Sequence, residues 1–585
     1  MAALDLMKMS ENEDHNSASS QSIAGGLILP RLKVLGIKHV YVNSGTDFPP
    51  IIEGLAEATF KGIPFSEPIL VPHEHVAMGM AYGNYKVSRS PQAVILHTNV
   101  GLANATTGII NAACENVPII VMSGRTPVTE VGRFGSRTVP IGWGQEMYDQ
   151  ASLIREACKW EYEVRFPEQL IELLDRAYVM ANSTPKGPVY LSLPREVISM
   201  KVDTHKLFSK PGFAIFESTP DVDKIELLCD WLEQSSSPLL ITQRDCDDES
   251  SFRQLNTLID KYGIAACTWW ATGLTVSTEN PCHIGSNPQP YLENADLILV
   301  LNSPAPWQPS IHKISNKAKV VNLGPDPLFS RFPIRNFGSD LTISGEVSAI
   351  IKELSTQLEQ RNKIPADKIQ KRKNTFTGQD KKRSDRTKVI EKSIKSGIMT
   401  KQAVSSVLGQ ILHDFDSTVF SELGADLDLL GRTSHGSWFQ EPYSGGLGWS
   451  FPSALGAKMA NPEKLIIAIM GDGSYLFANP TVCHQVAEAL RLPILVVVLN
   501  NREWGAVKHS VLNMFPDGFA SRMNNVPLTS LEPSPDFCKV ASASNAWSQR
   551  VDVFSELKDV LLKGIEVTMN EQRAALIEVI VTSTQ

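Results

Sequence analysis

The sequence predicts an α/β protein built from three doubly wound parallel-sheet domains. Three observations carry that expectation. The chain has 585 residues, too many for one hydrophobic core and enough for three or four domains. Short apolar runs alternate with helical patterns along most of it, as parallel strands require, because each returns through a crossover helix. Finally, "LIIAIM", ending at Met470, leads through Gly471-Asp472-Gly473-Ser474 and a helix-like segment into "PILVVVLNN". That is strand, tight turn, helix and strand in succession.

Taken in order, residues 1–20 are polar and acidic and are expected to be disordered. "MAALDLMKMSENEDHNSASSQS" lacks the apolar core of a secretory signal and is too acidic and Arg-free for a mitochondrial transit peptide. "VTSTQ" at the far end carries no peroxisomal tripeptide, so the expectation is a cytoplasmic protein. A first domain is predicted over 21–198. It opens on an amphipathic helix from Ser22 to about Leu35, with strands at "HVYVNSG", "PILVPHE", "AVILHTN", "PIIVMSG" and "PVYLSLP". A central domain, 215–351, has strands at "PLLITQ", "ADLILVLNS" and "KVVNLGPDP". It lacks a GxGxxG fingerprint, since "TQRDCDDES" stands where a Gly-rich turn would be. Residues 352–395 are rich in Lys and Arg and read as a solvated basic linker. The third domain is predicted over 396–581.

Composition narrows the function classes. A hydrophobic share of 42% with 20% charged residues is that of an ordinary soluble globular chain, and a net charge of −8 gives nucleic-acid binding no support. No stretch is apolar enough to span a membrane. The eight cysteines form no CxxC pair. They read as reduced, mostly buried thiols rather than a disulfide framework or zinc site.

The chemistry concentrates at the turns that follow strands, where open α/β sheets bind ligands. Gly471 and Gly473 allow close backbone approach to a ligand. Asp472 offers a hard carboxylate oxygen and Asn501 an amide oxygen, both suited to Mg²⁺. A helix starting after Ser474 presents free N–H groups to a phosphate. A diphosphate bridged by Mg²⁺ satisfies all of these.

GDG, roughly 26 residues, then Asn500-Asn501 resembles the thiamine diphosphate (ThDP) signature. Over residues 22–575 the text resembles the superfamily of acetolactate synthase, benzoylformate decarboxylase and pyruvate decarboxylase, and is acetolactate-synthase-like. The resemblance implies pyrimidine-binding, middle and diphosphate-binding domains. It implies Mg²⁺ held by Asp472, Asn501 and the backbone carbonyl of Glu503. It also implies Glu74, in "VPHEHVAMGMAYG", as the glutamate that bonds the aminopyrimidine and favours its basic imino form. Leu447, in "SGGLGWS", falls where relatives bend the cofactor. Gly446 and Gly448 allow close approach there, and Gly424 in "SELG" is a further cofactor contact. Active sites shared between subunits of a homodimer or homotetramer follow from the same resemblance. Some relatives hold FAD or ADP in the middle domain, and nothing in this sequence supports either.

On the substrate side, His97 in "AVILHTN" matches the active-site histidine of benzoylformate decarboxylase. A structural histidine is the other reading. Thr46 matches a serine that meets the substrate carboxylate, although Asp47-Phe48 alter that pocket. A second histidine of that enzyme falls at Asn280, with His283 three residues on. Gln145, in "GWGQEMYDQ", matches an active-site glutamine of acetolactate synthases. Trp504 either lines the pocket or packs beneath its loop.

These residues imply a non-oxidative decarboxylase of a small-molecule 2-oxo acid, with the alternative that the carbanion-enamine is passed to a second carbonyl in carboligation. His97 favours the first and Gln145 the second. A regulatory subunit that retains the fold without catalysis is the reading from another class. The retention of Glu74, Asp472, Asn501 and Leu447 argues against it.

Overall fold

A computed structural model describes residues 21–377 and 396–582. The expected disordered start, residues 1–20, lies outside the described residues, as do 378–395 of the basic segment. The first sheet contains β2 (His39–Val42), β3 (Glu67–Leu70), β4 (Gln92–Leu96), β5 (Ile119–Arg125), β6 (Glu161–Glu163) and β7 (Val189–Pro194). They lie in the order β3-β2-β4-β5-β7-β6, and every pairing is parallel. A short antiparallel ribbon, β1 (Gln21–Ile23) with β8 (Lys201–Asp203), closes its base.

The central sheet holds β9 (Pro238–Thr242), β10 (Ala265–Cys267), β11 (Leu297–Leu301), β12 (Lys319–Gly324) and β13 (Leu341–Ser344), ordered β10-β9-β11-β12-β13. The third sheet holds β14 (Ser417–Glu422), β15 (Trp438–Gln440), β16 (Leu465–Gly471), β17 (Leu495–Asn500), β18 (Trp547–Val551) and β19 (Ala575–Ile580). Its order, β15-β14-β16-β17-β19-β18, repeats that of the first sheet strand for strand. The two outer domains therefore share one topology, which the sequence expresses with no visible repeat. The inner strands are buried on both faces: β4, β16 and β17 lie between helix layers, which is why they read as unbroken apolar runs rather than alternating ones.

Two expectations about local structure are corrected. The chain does not enter as a helix from Ser22. Gln21–Ile23 is a strand, Ala24–Leu27 a 3-10 turn, and the helix proper runs from Ile28 to Val34. Gly25 and Gly26 weaken a helix there. They also let the turn lie directly on helix Pro49–Lys61, where a Cβ on Gly25 would meet Pro50 at 2.9 Å. The basic segment is not a plain solvated linker over its first part. Helix Val347–Arg361 covers the central sheet, and helix Ala366–Thr377 follows it. Arg372 is buried and donates to the carbonyls of Tyr262 (2.7 Å) and Ser235 (2.7 Å).

The three domains meet at a buried charge cluster. Lys86 donates to Asp245 Oδ1 at 2.6 Å, Arg89 pairs with the other oxygen of Asp245, His435 of the third domain lies 3.1 Å from the Cys246 carbonyl, and both Lys86 and Asp245 are buried. Burial works against the Asp245 carboxylate, but the two cations hold its pKa well below the carboxylate range. Such a cluster costs desolvation and returns it through geometry, so removing one partner strands the others. At the switch point between β9 and β11, Gln243 spans the crevice. Its amide donates to the Ala305 carbonyl (2.8 Å), and its oxygen accepts from the Ala305 N–H (3.0 Å).

Candidate active site

In the third domain, adjacent strands β14, β16 and β17 end side by side and bring Glu422, Asp472 and the Asn500-Asn501 pair to one edge. Asp472 opens helix Asp472–Phe477 and is only 3% exposed. Its oxygens accept from the N–H groups of Gly473 (3.0 Å) and Arg502 (2.8 Å). Burial nevertheless pushes its carboxyl up to about 6. No ion pair to Asp472 occurs among the described residues. A buried carboxylate whose charge is this poorly compensated fits a divalent cation.

The two asparagines divide their work. Asn500 is buried and donates to Glu578 (2.7 Å), which fixes the end of β17. Asn501 is the half-buried one and accepts from the Glu503 N–H at 3.2 Å. The Glu503 carbonyl accepts from Gly505 N–H (2.8 Å), and its carboxylate pairs with Lys508 (2.8 Å).

The glycines need separate accounts. Gly471 has φ −72°, and a Cβ there would meet nothing, so neither the chain conformation nor packing demands glycine. Gly473 is demanded by packing, because a Cβ would enter the Trp504 ring. Trp504 also stacks edge-on to Phe477 at 5.7 Å, so it packs over the GDG turn. Ser474 is buried in the same short helix. Gly424 lies against the Ile469 carbonyl on β16, a packing reason for glycine that is independent of any ligand.

Leu447 borders an open cleft of about 470 Å³ with His73, His75, Asn104, Thr107 and Phe477. The backbone around it has no freedom to spare. Gly448 takes φ +80°, and a Cβ there would strike the Phe477 carbonyl; one on Gly446 would strike Asn111. Helix Glu74–Ser88 packs along helix Ser450–Ala460, closely enough that a Cβ on Gly83 would run into the Ser453 carbonyl. The side chains of the first domain are thereby carried up to the Leu447 segment.

The first domain presents its own row at the ends of β3, β2, β4 and β5. Glu74 is 8% exposed, begins its helix, and accepts from Asn104 Nδ2 at 3.1 Å. His97 follows β4. Its Nδ1 lies 2.5 Å from Asp47 Oδ1, and its Nε2 lies 3.4 Å from the Gln145 amide nitrogen. A carboxylate only accepts, so Nδ1–H donates to Asp47 and Nε2 is left for Gln145 or a ligand. The hydrogen bond to Asp47 raises the His97 pKa, burial opposes it, and Asp47 and Glu74 add through their charge. Asp47 is itself buried and accepts from the Thr98 N–H at 3.3 Å, with Thr98 held at φ +37°.

His97 and Gln145, which point to different reactions when read from sequence, therefore belong to one cluster. Thr46 is exposed; with Asp47, Thr98 and Gln145 it lines a cavity of about 20 Å³, room for about one water. The residue that touches His97 is Asp47, which sequence reading treated only as an alteration of the pocket. A carboxylate just before Phe48-Pro49 at the end of a strand was the available signal. Asn280 and His283 are not part of this cluster. Asn280 donates to the Asn256 carbonyl (3.0 Å), and His283 bonds Thr268 (2.9 Å) within the central domain.

Two sheets of identical topology, separated in the chain by the central sheet and each with polar side chains at its strand ends, frame the candidate site of a three-domain α/β enzyme. Family models place this precisely in the chain: residues 24–153 match the thiamine pyrophosphate enzyme N-terminal TPP binding domain, and 425–579 the corresponding C-terminal TPP binding domain. The chain belongs to the thiamine pyrophosphate-dependent enzymes (thiamine pyrophosphate and ThDP are one molecule). It is 23% identical to the acetolactate synthase large subunit of Lactococcus lactis, over 96% of this chain and 92% of that one. It is 22% identical to a probable 2-ketoarginine decarboxylase of Pseudomonas aeruginosa, over 88% and 89%. Its fold matches that of a Rhodococcus jostii ThDP-dependent 4-hydroxybenzoylformate decarboxylase with a TM-score of 0.74 at 19% identity, covering 96% of this chain and 99% of that one. No helix among the described residues is long and apolar enough to cross a membrane.

Proposed function

We propose that this enzyme catalyses the ThDP- and Mg²⁺-dependent, non-oxidative decarboxylation of a 2-oxo acid. The observation that carries the reading is the Asp47–His97–Gln145 cluster beside Glu74 at the edge of the first sheet. In this reading Asp472, Asn501 and the Glu503 carbonyl hold the cation, with one carboxylate sufficing because phosphate oxygens complete an Mg²⁺ shell. Gly471, Gly473, Ser474, Gly446, Leu447, Gly448 and Gly424 surround the cofactor. When bound, ThDP supplies a carbon nucleophile and an electron sink for the departing CO₂.

The chain's own groups manage the protons. Glu74, whose carboxyl Asn104 orients, would be the group that gives a proton to, and takes one from, the pyrimidine ring of a bound cofactor. Asp47 holds His97 by Nδ1, which leaves Nε2, 3.4 Å from the Gln145 amide nitrogen, as the position that takes up and returns a proton. Thr46 lies at the mouth of the same cavity and meets the substrate carboxylate. A second reading, carboligation, draws on the Gln145 amide, which is placed to hold the carbonyl of an acceptor beside Nε2. Domain bounds of 21–198, 215–351 and 396–581 go with this reading.

We also propose a homodimer or homotetramer. Val131, Phe134 and Ile141 are exposed just before Gln145, as are Met514, Phe515, Phe519 and Leu528 after Asn501. Apolar groups gathered on two loops of the site suit a surface that a second subunit covers.

The direct test offers ThDP, Mg²⁺ and a panel of aliphatic and aromatic 2-oxo acids, with and without an acceptor aldehyde. Aldehyde and CO₂ as the products support decarboxylation. A 2-hydroxy ketone as the main product replaces it with carboligation. The His97 cluster is tested by Asp47→Asn. Because the carboxylate raises the His97 pKa, the stabilised imidazolium is fully present below the ordinary imidazole range and is lost as pH rises through the folded value. Asp47→Asn therefore moves the His97 titration, followed by NMR, toward acid, and lowers turnover near neutral pH about 10²-fold. An unmoved titration removes Asp47 from this role.

A further inference from the structure

Both peptide groups that flank Leu447 are engaged by side chains from elsewhere in the chain. On the C-terminal side, Glu422 at the end of β14 is 0% exposed and accepts three backbone hydrogen bonds. Gly448 N–H donates to Oε1 (2.7 Å), and Trp449 N–H and Ser450 N–H donate to Oε2 (2.8 Å each). The Gly448 carbonyl lies 3.1 Å from His75 Nε2. On the N-terminal side, Asn111 Nδ2 donates to the Gly446 carbonyl (3.1 Å), and Ser444 Oγ donates to Asn111 Oδ1 (2.5 Å).

These partners come from three separate elements: β14, helix Glu74–Ser88 and helix Thr98–Cys114. A carboxylate at the start of helix Ser450–Ala460 is an ordinary cap as far as Trp449 and Ser450 are concerned. What a cap does not require is its bond to Gly448, the residue after Leu447, in a left-handed conformation, while the carbonyls on both sides of Leu447 are held by the other domain. Removing such bonds leaves buried N–H groups unsatisfied and lets the segment relax.

We infer that Glu422 is a positioning residue that, with His75 and Asn111, clamps the Gly446–Leu447–Gly448 backbone and thereby sets where the Leu447 side chain stands against the cofactor. This rests on the reading above that Leu447 borders bound ThDP. The clamp itself is a property of the chain and can be measured without cofactor.

Glu422→Gln keeps the shape but replaces one acceptor with a donor that faces backbone N–H groups. In the full-length protein it is expected to quicken amide hydrogen exchange of Gly448–Ser450 at least about 10-fold while leaving β17 (Leu495–Asn500) protected. Cofactor binding, read as quenching of intrinsic fluorescence by ThDP with Mg²⁺, is expected to need about 10-fold more ThDP for half-saturation, and C2-proton exchange at saturation is expected to slow about 10-fold. Leu447→Ala should slow C2-proton exchange with native protection at 448–450, because it removes the side chain and leaves the clamp.

Quickened amide exchange with native ThDP affinity and native C2-proton exchange reduces Glu422 to a helix cap and overturns the inference. So does native amide protection in Glu422→Gln. If that variant does not fold, Asn111→Ala makes the same test from the other flank, and native ThDP affinity there overturns the clamp. Wild-type protein that takes up no ThDP fails the functional reading instead, a result the amide data alone would not produce.

Discussion

Asp472→Ala raises the ThDP concentration needed for half-saturation by about 100-fold or more, equivalent to about 2.7 kcal/mol, and excess Mg²⁺ does not restore the native value. The expectation follows from how Asp472 is placed. It is 3% exposed just after β16, and its oxygens accept from the backbone N–H groups of Gly473 and Arg502, with no cationic side chain paired to it among the described residues. Burial, joined by the negative charge of nearby Glu503, pushes its carboxyl up to about 6. A divalent cation supplies the missing positive charge, and the cation in turn supplies the attraction for a diphosphate. Asn501 contributes a neutral oxygen, which cannot take over the charge. Alanine also strips an acceptor from the Arg502 N–H, but Asn500 Oδ1 accepts from the same N–H at 3.0 Å, so the loop keeps one of its two ties. The measurement is a ThDP titration at fixed, then raised, Mg²⁺. Undiminished affinity would refute Asp472 as the anchor.

Glu74→Gln slows exchange of the cofactor's C2 proton by about 10²–10⁴-fold while ThDP affinity stays within a few-fold of native. Glutamine keeps the length and can still hydrogen-bond a ring nitrogen, but it cannot exchange a proton with it. The native carboxylate is nearly buried at the start of its helix, and Asn104 holds Oε2 at 3.1 Å. Its position is thus set by two helices of one domain, and the substitution leaves that frame intact. Deuterium exchange at C2, quenched in acid and read by NMR, separates the two quantities. Exchange at the native rate would withdraw the proton-relay assignment, and a large loss of affinity would make Glu74 a binding residue.

The parts of this site that sequence made legible are those where one short stretch carries both the chemistry and its framing strand. Asp472 and Asn501 follow two unbroken apolar runs, and Glu74 follows "PILVP". Asp47 was within reach but incompletely read: its contact with His97, 50 positions away, arises only because the parallel pairing of β2 with β4 sets the two turns side by side. Gln145 and His97 were opposed for the same reason, since each was matched to a different relative. In space the amide stands against the ring. The edge strands β6, β10 and β13 were missed because three or four residues hold too little pattern to read. Asn280 was carried over on register alone, and its bonds lie within the central domain.

The amino-acid order by itself determined the class of fold, pointed by resemblance to the cofactor family, and marked the strand ends proposed to carry the chemistry. Those properties follow from local causes: apolar runs long enough to be buried strands, glycines beside a carboxylate, and a fixed interval to the next strand. Only the tertiary structure decided which of those strand ends share a site, that Glu422, His75 and Asn111 hold the backbone on either side of Leu447, and that Gly473 serves Trp504. Each of these is a contact between segments far apart in the chain. Its energy depends on distances of a few ångströms, which the order of residues specifies only through the packing of the whole fold.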